Sequence, residues 1–479
     1  MSVTPYCQPL FQNRQDLYQF LLSCQQVALE KQQTQLISIS LEIDPIDPLV
    51  ILQRFASPQD LSFYFERRDP QGDFPDNKVA IAAIGAVVQL QVEGRDRFQK
   101  AQEFIQANLA RTISAGKLDH SLSGPHFFCN FTFFEHSLNH QSLFSAATIF
   151  LPRWQISYHA NHAILVINLS LQPHSFLQPV VEELWQQIQG IRSTRYEFLS
   201  TTLNYQDWFQ TKDRRATHHF KQSVTSALRS ISAGELSKIV LAHAVDVYSP
   251  LPFNPSDSLH NLRRLYPDCH IFAVSNGQGQ QFIGASPERL VSLRDRWLVT
   301  DALAGSAPRG KSPWEDAQFA DKLLTNQKEL HEHQVVVDCI TRQLIHLGMA
   351  PERSPLRLLQ LSNIQHLHTP IRAAMTGNTA LLDVVATLHP TPAVAGTPRQ
   401  IACDHIRRYE KFERSLYAAP IGWVDHRGNG EFWVGIRSAL LNGCHACLFA
   451  GAGIVAGSDP NRELAEVQLK LQALLAALV

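Results

Sequence analysis

An α+β fold is what this sequence predicts, and three observations lead to it. Over short stretches apolar residues alternate with polar ones, as at Ile37, Ile39, Leu41 and Ile43, the period of a strand with one covered face. Elsewhere they recur at helical spacing, as at Phe220, Val224, Leu228 and Ile231. Nowhere in the 479 residues is there an apolar run of the length that a membrane-spanning helix needs, about 18 residues.

Taken in order, residues 10–31 predict a helix and Ile37 to Ile43 a half-buried strand. Leu61, Phe63 and Phe65 give another strand, Val79 to Leu90 one longer strand, and Asp96 to Ile113 a helix. Strands at Phe127 to Phe134, Ala146 to Pro152, Trp154 to Tyr158 and Ala163 to Leu169 follow, then a helix at Pro179 to Gln189. The polar stretch Ser193 to Asp207 marks a boundary. Residues 1–204 carry no chemical motif; His120, His126, His136 and His140 lack ligand spacing and read as ordinary surface or core histidines.

Residues 205–479 carry the motifs. Trp208 to Ile231 reads as an amphipathic helix closed by Gly234. Lys238 to His243 is a strand, apolar from Ile239 to Ala242 and opened by its lysine. Short strands come next at Ile271 to Val274, Gln281 to Ile283, Leu290 to Leu293 and Trp297 to Thr300. Helices at 313–325 and 327–347, a strand near Ile364 to Leu367, and helices at 379–388 and 398–412 follow. Strands at Gly422 to Val424, Phe432 to Ser438 and Ala446 to Ala450 lead into Phe449 to Lys470. In that stretch Gly451-Ala452-Gly453 reads as a loop whose missing Cβ atoms let the backbone approach a bound group, and Ser458-Asp459-Pro460 as a helix entry.

Composition excludes several classes. With 42 basic against 43 acidic residues the formal net charge is -1, which gives no electrostatic case for nucleic acid or a membrane surface as partner. The eight cysteines are scattered; one CxxC, Cys444 to Cys447, has no second pair, so a zinc site is not indicated and a reducing compartment is. The N-terminus lacks the basic and apolar segments of a secretory signal, so a cytoplasmic location is expected. Gly305 to Ser312 matches the phosphate-cradling pattern GxxxxGK[ST]. Pro313 follows at once, where such a loop should enter a helix with its N–H donors intact. The match reads as accidental, and nucleotide hydrolysis is kept as the rival reading.

Polar residues in apolar surroundings mark a candidate site. Lys238 interrupts its strand, and burial would lower its pKa and make it a base. Glu288 sits in a turn directly after a strand, Glu332 lies on a helix, and Arg437 follows the apolar run Trp433 to Ile436, where its fork could hold a carboxylate. Glu463 and Glu466, three apart, and Lys470, four further on, share one helix face. That carboxylate pair suits a hard cation bridging to a ligand carboxylate. Each of these alone has an ordinary structural explanation.

Together and in order they resemble the chorismate-utilising enzymes, the family of anthranilate synthase component I, aminodeoxychorismate synthase, salicylate synthase and isochorismate synthase. The matching blocks are GELSKIVLA (234–242), FIGASPERL (282–290), ALAGSAPRGK (302–311), EHQVVVD (332–338), HLHTP (366–370), LHPTPAVAGTP (388–398), GNGEFWVGIRSA (428–439) and FAGAGIVAGSDPNRELAE (449–466). The resemblance implies a two-sheet sandwich flanked by helices, with residues 1–204 the more variable part merged into it. Ammonia-using members are similar to one another in carrying Gln where this chain has Lys238, whereas lysine is typical of members that add water, since water needs a base to become a useful nucleophile. The run His389-Pro390-Thr391-Pro392-Ala393 resembles isochorismate synthases; salicylate synthases, the alternative, have Thr in place of Ala393.

Carried over on that resemblance, Lys238 is the base for water and Glu288 the acid for the departing hydroxyl. Glu332 and Glu466 hold Mg2+, with Glu463 reaching it through water. Gly305, Ser306, Gly451 and Lys470 line the ring carboxylate, Arg437 and Tyr417 the enolpyruvyl carboxylate, and His366 and Ala393 the ring. The implied substrate is chorismate. No glutamine amidotransferase subunit is expected, and the chain is expected to be a monomer or a weak homo-oligomer. The long N-terminal part is more similar to menaquinone or phylloquinone pathway members than to short siderophore ones.

Overall fold

The computed structural model describes residues 4–6, 13–68, 78–136, 142–193, 209–214, 217–362 and 364–478. Its first part runs β1 (Thr4–Tyr6), α1 (Arg14–Glu30), β2 (Gln35–Ile43), α2 (Pro48–Phe55), β3 (Leu61–Arg68), β4 (Lys78–Ile84), β5 (Val88–Val92), α3 (Arg97–Ala110), β6 (Thr112–Gly116), β7 (His126–Phe131), β8 (Ala147–Leu151), β9 (Trp154–His159), β10 (His162–Leu171) and α4 (Leu177–Arg192). Then come β11 (Gln210–Asp213), α5 (Thr217–Ser232), β12 (Lys238–Tyr248), α6 (Pro255–Leu265), β13 (His270–Asn276), β14 (Gln280–Ser286), β15 (Arg289–Arg294), β16 (Trp297–Pro308), α7 (Pro313–Thr325) and α8 (Gln327–His346). The last third holds β17 (Glu352–Arg353), β18 (Arg357–Gln360), β19 (Ile364–Ala374), α9 (Leu381–Leu388), β20 (Gly396–Thr397), α10 (Arg399–Glu410), β21 (Pro420–Asp425), β22 (Gly430–Val434), β23 (Ser438–Asn442), β24 (His445–Val455) and α11 (Pro460–Leu478).

Local chemistry sets the helix starts that matter for the site. Asn326 caps α8 by accepting from the backbone N–H groups of Lys328 and Glu329. Asp459 does the same for α11 through Asn461 and Arg462, with Pro460 at its first position. Gly234 takes a left-handed φ of 76° just beyond α5 and ends it, as expected.

The strands form two sheets, so the α+β sandwich holds. The larger, of 14 strands, has the order β1-β6-β2-β10-β9-β4-β3-β13-β14-β23-β24-β12-β11, with β20 beside β12. The smaller, of 10 strands, runs β17-β19-β16-β15-β22-β21-β7-β8-β5, with β18 beside β19. Their inner faces meet through aromatic rings: Phe63 against Phe128 at 4.7 Å, and Phe65 against Trp433 at 5.9 Å. Strands from both parts of the chain pair within each sheet, β3 with β13 in the larger and β7 with β21 in the smaller.

Several elements differ from the sequence expectation. The strand of Ile37 to Ile43 is buried on both faces, with Ser38 and Ser40 also inside, because α1 covers the second face. Val79 to Leu90 is two strands in different sheets, β4 and β5, broken at Gly85, whose φ is 68°. The helix at Asp96 stops at Ala110, and Ile113 pairs with Ile37 in a strand instead. Residues 210–213 of the expected long amphipathic helix pair with β12, and the helix begins at Thr217. Most of the expected boundary, 194–207, lies outside the described residues. Phe432 to Ser438 is not one strand: β22 ends in the smaller sheet and β23 begins in the larger.

That last difference builds the site. The chain crosses between sheets at Gly435-Ile436-Arg437, and again at Pro287-Glu288 between β14 and β15. The two crossings lie side by side. Val434 donates its N–H to the Glu288 carbonyl and Ala285 donates to the Arg437 carbonyl, both at 3.1 Å. Where the sheets part company a cavity opens, and Glu288 and Arg437 stand at its rim.

Candidate active site

Each side chain singled out from the sequence lines one cavity of about 400 Å³. Lys238 and Val240 enter it from β12, Glu288 and Arg437 from the crossings, and Gly305 and Ser306 from β16. Glu332 comes from α8, His366 from β19, Ala393 from the segment after α9, Tyr417 from the turn before β21, Gly451 from β24, and Glu463, Glu466 and Lys470 from α11. Elements far apart in sequence therefore converge because two sheets and two helices close around one space.

Lys238 is 1 % exposed, so it does not reach bulk water along its stem. Its Nζ lies 2.7 Å from Glu332 Oε1. A Cβ at Gly453 would stand 2.6 Å from that same oxygen and 3.4 Å from Lys238 Cε. The small residues of the Gly451 to Gly453 run are thus needed, but the run is part of β24 rather than a loop. The groups it admits closely are the protein's own: Glu332 and Lys238 at Gly453, and the Tyr417 hydroxyl at Gly451.

Glu288, 5 % exposed, faces the same cavity. Burial raises its carboxyl pKa to about 8, with Lys238 pulling it down and Asp301 pushing it up. At neutral pH it carries its proton. A buried amine and a protonated buried acid on one cavity form a complementary acid–base pair.

His366 has a defined tautomer. Burial first, then the charges of Arg437 and Lys470, hold its pKa well below the ordinary value, so the ring is neutral. Arg437 Nη2 lies 3.1 Å from His366 Nε2. A guanidinium can only donate, so Nε2 accepts and the proton sits on Nδ1. Nδ1 then donates to Ser306 Oγ at 2.8 Å, which frees the Ser306 hydroxyl proton for another acceptor. Arg437 itself has a left-handed φ of 49°, a strained conformation for a side-chain-bearing residue, held by the crossing it occupies. Tyr417 is buried and its hydroxyl pKa is raised by that burial, so it is a neutral donor.

The acidic wall holds more than the sequence reading picked out. Glu329, three residues before Glu332 on α8, lines the cavity and accepts from the Ser306 N–H at 3.2 Å. Its signal was the same three-residue spacing that joins Glu463 to Glu466. Lys328 and Arg462 line the cavity too and were not anticipated. Burial raises the pKa of Glu329 and Glu463, and neighbouring carboxylates, Glu332 for the first and Glu466 for the second, add to it. Burial pushes Glu466 upward as well, but Lys470 at 2.8 Å outweighs it and leaves that carboxylate below its usual range. Among the described residues no three acidic or histidine side chains stand at metal-ligand spacing. Each expected metal ligand is held by a lysine: Glu332 by Lys238, Glu466 by Lys470, and Glu463 by Lys328 at 3.6 Å. Four carboxylates on one wall, of which Glu463 is buried and the other three are partly exposed, nevertheless repel one another and offer oxygen donors only, the chemistry that a hard divalent cation relieves. The donor set fits Mg2+.

The phosphate-loop lookalike has another structure. Gly305 to Pro308 is strand, paired with β19, and Ser312 caps α7 by accepting from the Glu315 N–H. A strand cannot turn successive N–H groups inward onto a phosphate.

Residues 20–479 match the family model described as chorismate binding enzyme. The chain is 33 % identical over 450 residues to the salicylate biosynthesis isochorismate synthase of Pseudomonas aeruginosa, covering 92 % of this chain and 90 % of that one. It is 30 % identical to the isochorismate synthase MenF of Bacillus subtilis, over 92 % and 93 % of the two chains. Among solved structures, the menaquinone-specific isochorismate synthase MenF of Escherichia coli superposes with a TM-score of 0.75 at 26 % identity, covering 95 % of this chain and all of that one. Anthranilate synthase component I of Streptococcus pneumoniae shares the fold, with a TM-score of 0.69 at 21 % identity over 90 % and 97 % of the chains.

Proposed function

The chain belongs to the chorismate-binding enzymes, and from that premise we propose that it is an isochorismate synthase. It adds water at ring C2 of chorismate while the C4 hydroxyl leaves, so that one water enters and one departs. The observation that carries this reading is the pairing of buried Lys238 with protonated Glu288 on one cavity. Water must lose a proton to attack, and hydroxide must gain one to leave. Lys238 takes the first proton and Glu288 gives the second. Each turnover leaves both groups in the opposite state, and they return through solvent or each other.

The remaining residues bind and orient. Arg437 and Tyr417 hold the enolpyruvyl carboxylate, the first through its fork and the second through a neutral hydroxyl. Gly305, Ser306, Gly451 and Lys470 line the ring carboxylate, and the free Ser306 proton points to an acceptor there. Glu332, Glu466 and, through water, Glu463 would hold Mg2+, with Glu329 as a further oxygen nearby. When bound, the ion supplies a fixed positive charge for the ring carboxylate. Ala393 leaves room beside the ring, and His366 fixes the orientation of Arg437.

Product analysis tests the reading. Purified protein, chorismate and Mg2+ should yield isochorismate without added ammonium. Salicylate with pyruvate as the main products would favour the alternative, in which elimination follows. Anthranilate formed with ammonium would remove the role of Lys238 as a water base. One relative that matches nearly the whole chain is named for salicylate biosynthesis, and a solved structure that matches it is named as menaquinone-specific. We assign this chain to quinone supply, menaquinone or phylloquinone, on its long N-terminal part and the fit to the menaquinone-specific structure. Restored quinone synthesis in a strain lacking its own synthase is the expected outcome.

A further inference from the structure

We infer that Arg414 and Glu410 are positioning residues for this reaction: one buried ion pair replaces a missing strand beside β12 and so fixes Lys238 against the opposite cavity wall. β12 has β24 along one edge for its whole length. Along its other edge β20 pairs only at Lys238 and Ile239, and β11 only from Val245 to Tyr248. Between these lies a gap in the interior, where unpaired backbone groups would be costly.

At the ends of the gap the Ala395 carbonyl accepts from the Val240 N–H and the Arg214 N–H donates to the Ala244 carbonyl; the pair fills its middle. Arg414 is fully buried, and its Nη2 donates to the Val240 carbonyl at 2.9 Å. Glu410 Oε1 accepts from the Ala242 N–H at 2.7 Å. Arg414 is itself held in a two-pronged grip, Nε to Glu410 Oε2 at 2.9 Å and Nη2 to Oε1 at 2.5 Å. Its remaining prong, Nη1, donates to the Val394 carbonyl at 2.8 Å. One guanidinium thus ties the strand that carries Lys238 to the segment that carries Ala393. It also packs over the Tyr417 ring at 5.6 Å, and its own carbonyl accepts from the Tyr417 N–H. Three walls of the cavity are referenced to this one residue, which does not itself line the cavity.

A lysine cannot reproduce this, because its ammonium lacks the planar fork that serves both carbonyls and the carboxylate at once. The inference rests on the water-addition reading above, and its test separates the two. Arg414→Lys, Arg414→Met and Glu410→Gln are compared with the wild-type chain for kcat, KM for chorismate, melting temperature and the fraction of active sites titrated by a substrate analogue. Misplacement of a catalytic group by about 1 Å costs roughly a hundredfold in rate. The expected result is kcat lowered by about 10- to 100-fold per titrated site in Arg414→Lys, further in Arg414→Met, with KM within about threefold. A folded Arg414→Lys with wild-type kcat per site overturns the inference. So does a loss confined to the titrated fraction, or failure of both Arg414→Lys and Glu410→Gln to fold, since the pair is then structural only. Absence of chorismate turnover in the wild-type chain would instead sink the functional reading.

Discussion

At the scale of single residues, the cavity depends on two groups placed where water is scarce. Lys238→Ala should fold and lose activity by about 10²- to 10⁴-fold, the span of general-base contributions, in an isochorismate-forming assay. Glu288 makes a sharper prediction because its direction with pH is fixed. As an acid it must be protonated, so kcat/KM should fall as pH rises through about 8. Its folded pKa lies above its ordinary carboxylate value of 4.5, so between those values the folded state binds more protons than the unfolded one. Stability from this group is therefore present at low pH and lost as pH rises toward and past 8. Glu288→Gln keeps the neutral shape: it should be inactive yet melt at higher temperature than the wild-type chain above pH 8. A lower melting temperature there would remove the buried-acid assignment.

Elements supply what no single residue could. α8 and α11 each bring two glutamates at three-residue spacing, and their capped N-termini set which turn faces the cavity. Repulsion between the four carboxylates is offset by Lys328 and Lys470 from the same walls. Divalent cations should therefore stabilise the chain even without substrate, by about 2.7 kcal/mol when Mg2+ is at a hundredfold excess over Kd. Calorimetric melts with and without Mg2+ check this. In Glu332→Gln most of the Mg2+ shift should vanish; a full shift in that variant would place the ion elsewhere. The Gly451 to Gly453 run shows how an element can be misjudged locally. Its glycines look like a loop in sequence, but they are strand positions kept small so that Glu332 and Tyr417 can press against β24.

For the molecule as a whole, the two parts of the chain are joined by backbone pairing. β3 completes β13 along its length, and β7 completes β21. Expressed alone, residues 205–479 would expose both as open sheet edges, which template association. That fragment should aggregate, while the whole chain should unfold in one cooperative transition; light scattering and a single calorimetric peak check the pair of outcomes. The ordered blocks from Gly234 onward were enough to name the family and every expected site residue, because chemistry of this kind needs particular side chains whatever surrounds them. Periodicity likewise found the long strands and most helices, since burial of one face is a local demand, but it missed the helices α2 and α6 and the short strands β1, β6, β11, β17, β18 and β20. Sequence could not say which sheet a strand joins. β4 and β5, or β22 and β23, read as single runs, yet each pair is split between sheets by a turn whose cause lies in distant partners. Nor could it show that Lys238 is tied to Glu332, that Glu329 faces the same space, or that Arg414 stands in for a strand. Those facts depend on which backbone groups remain unpaired once two sheets have closed on each other, and only the folded chain decides that.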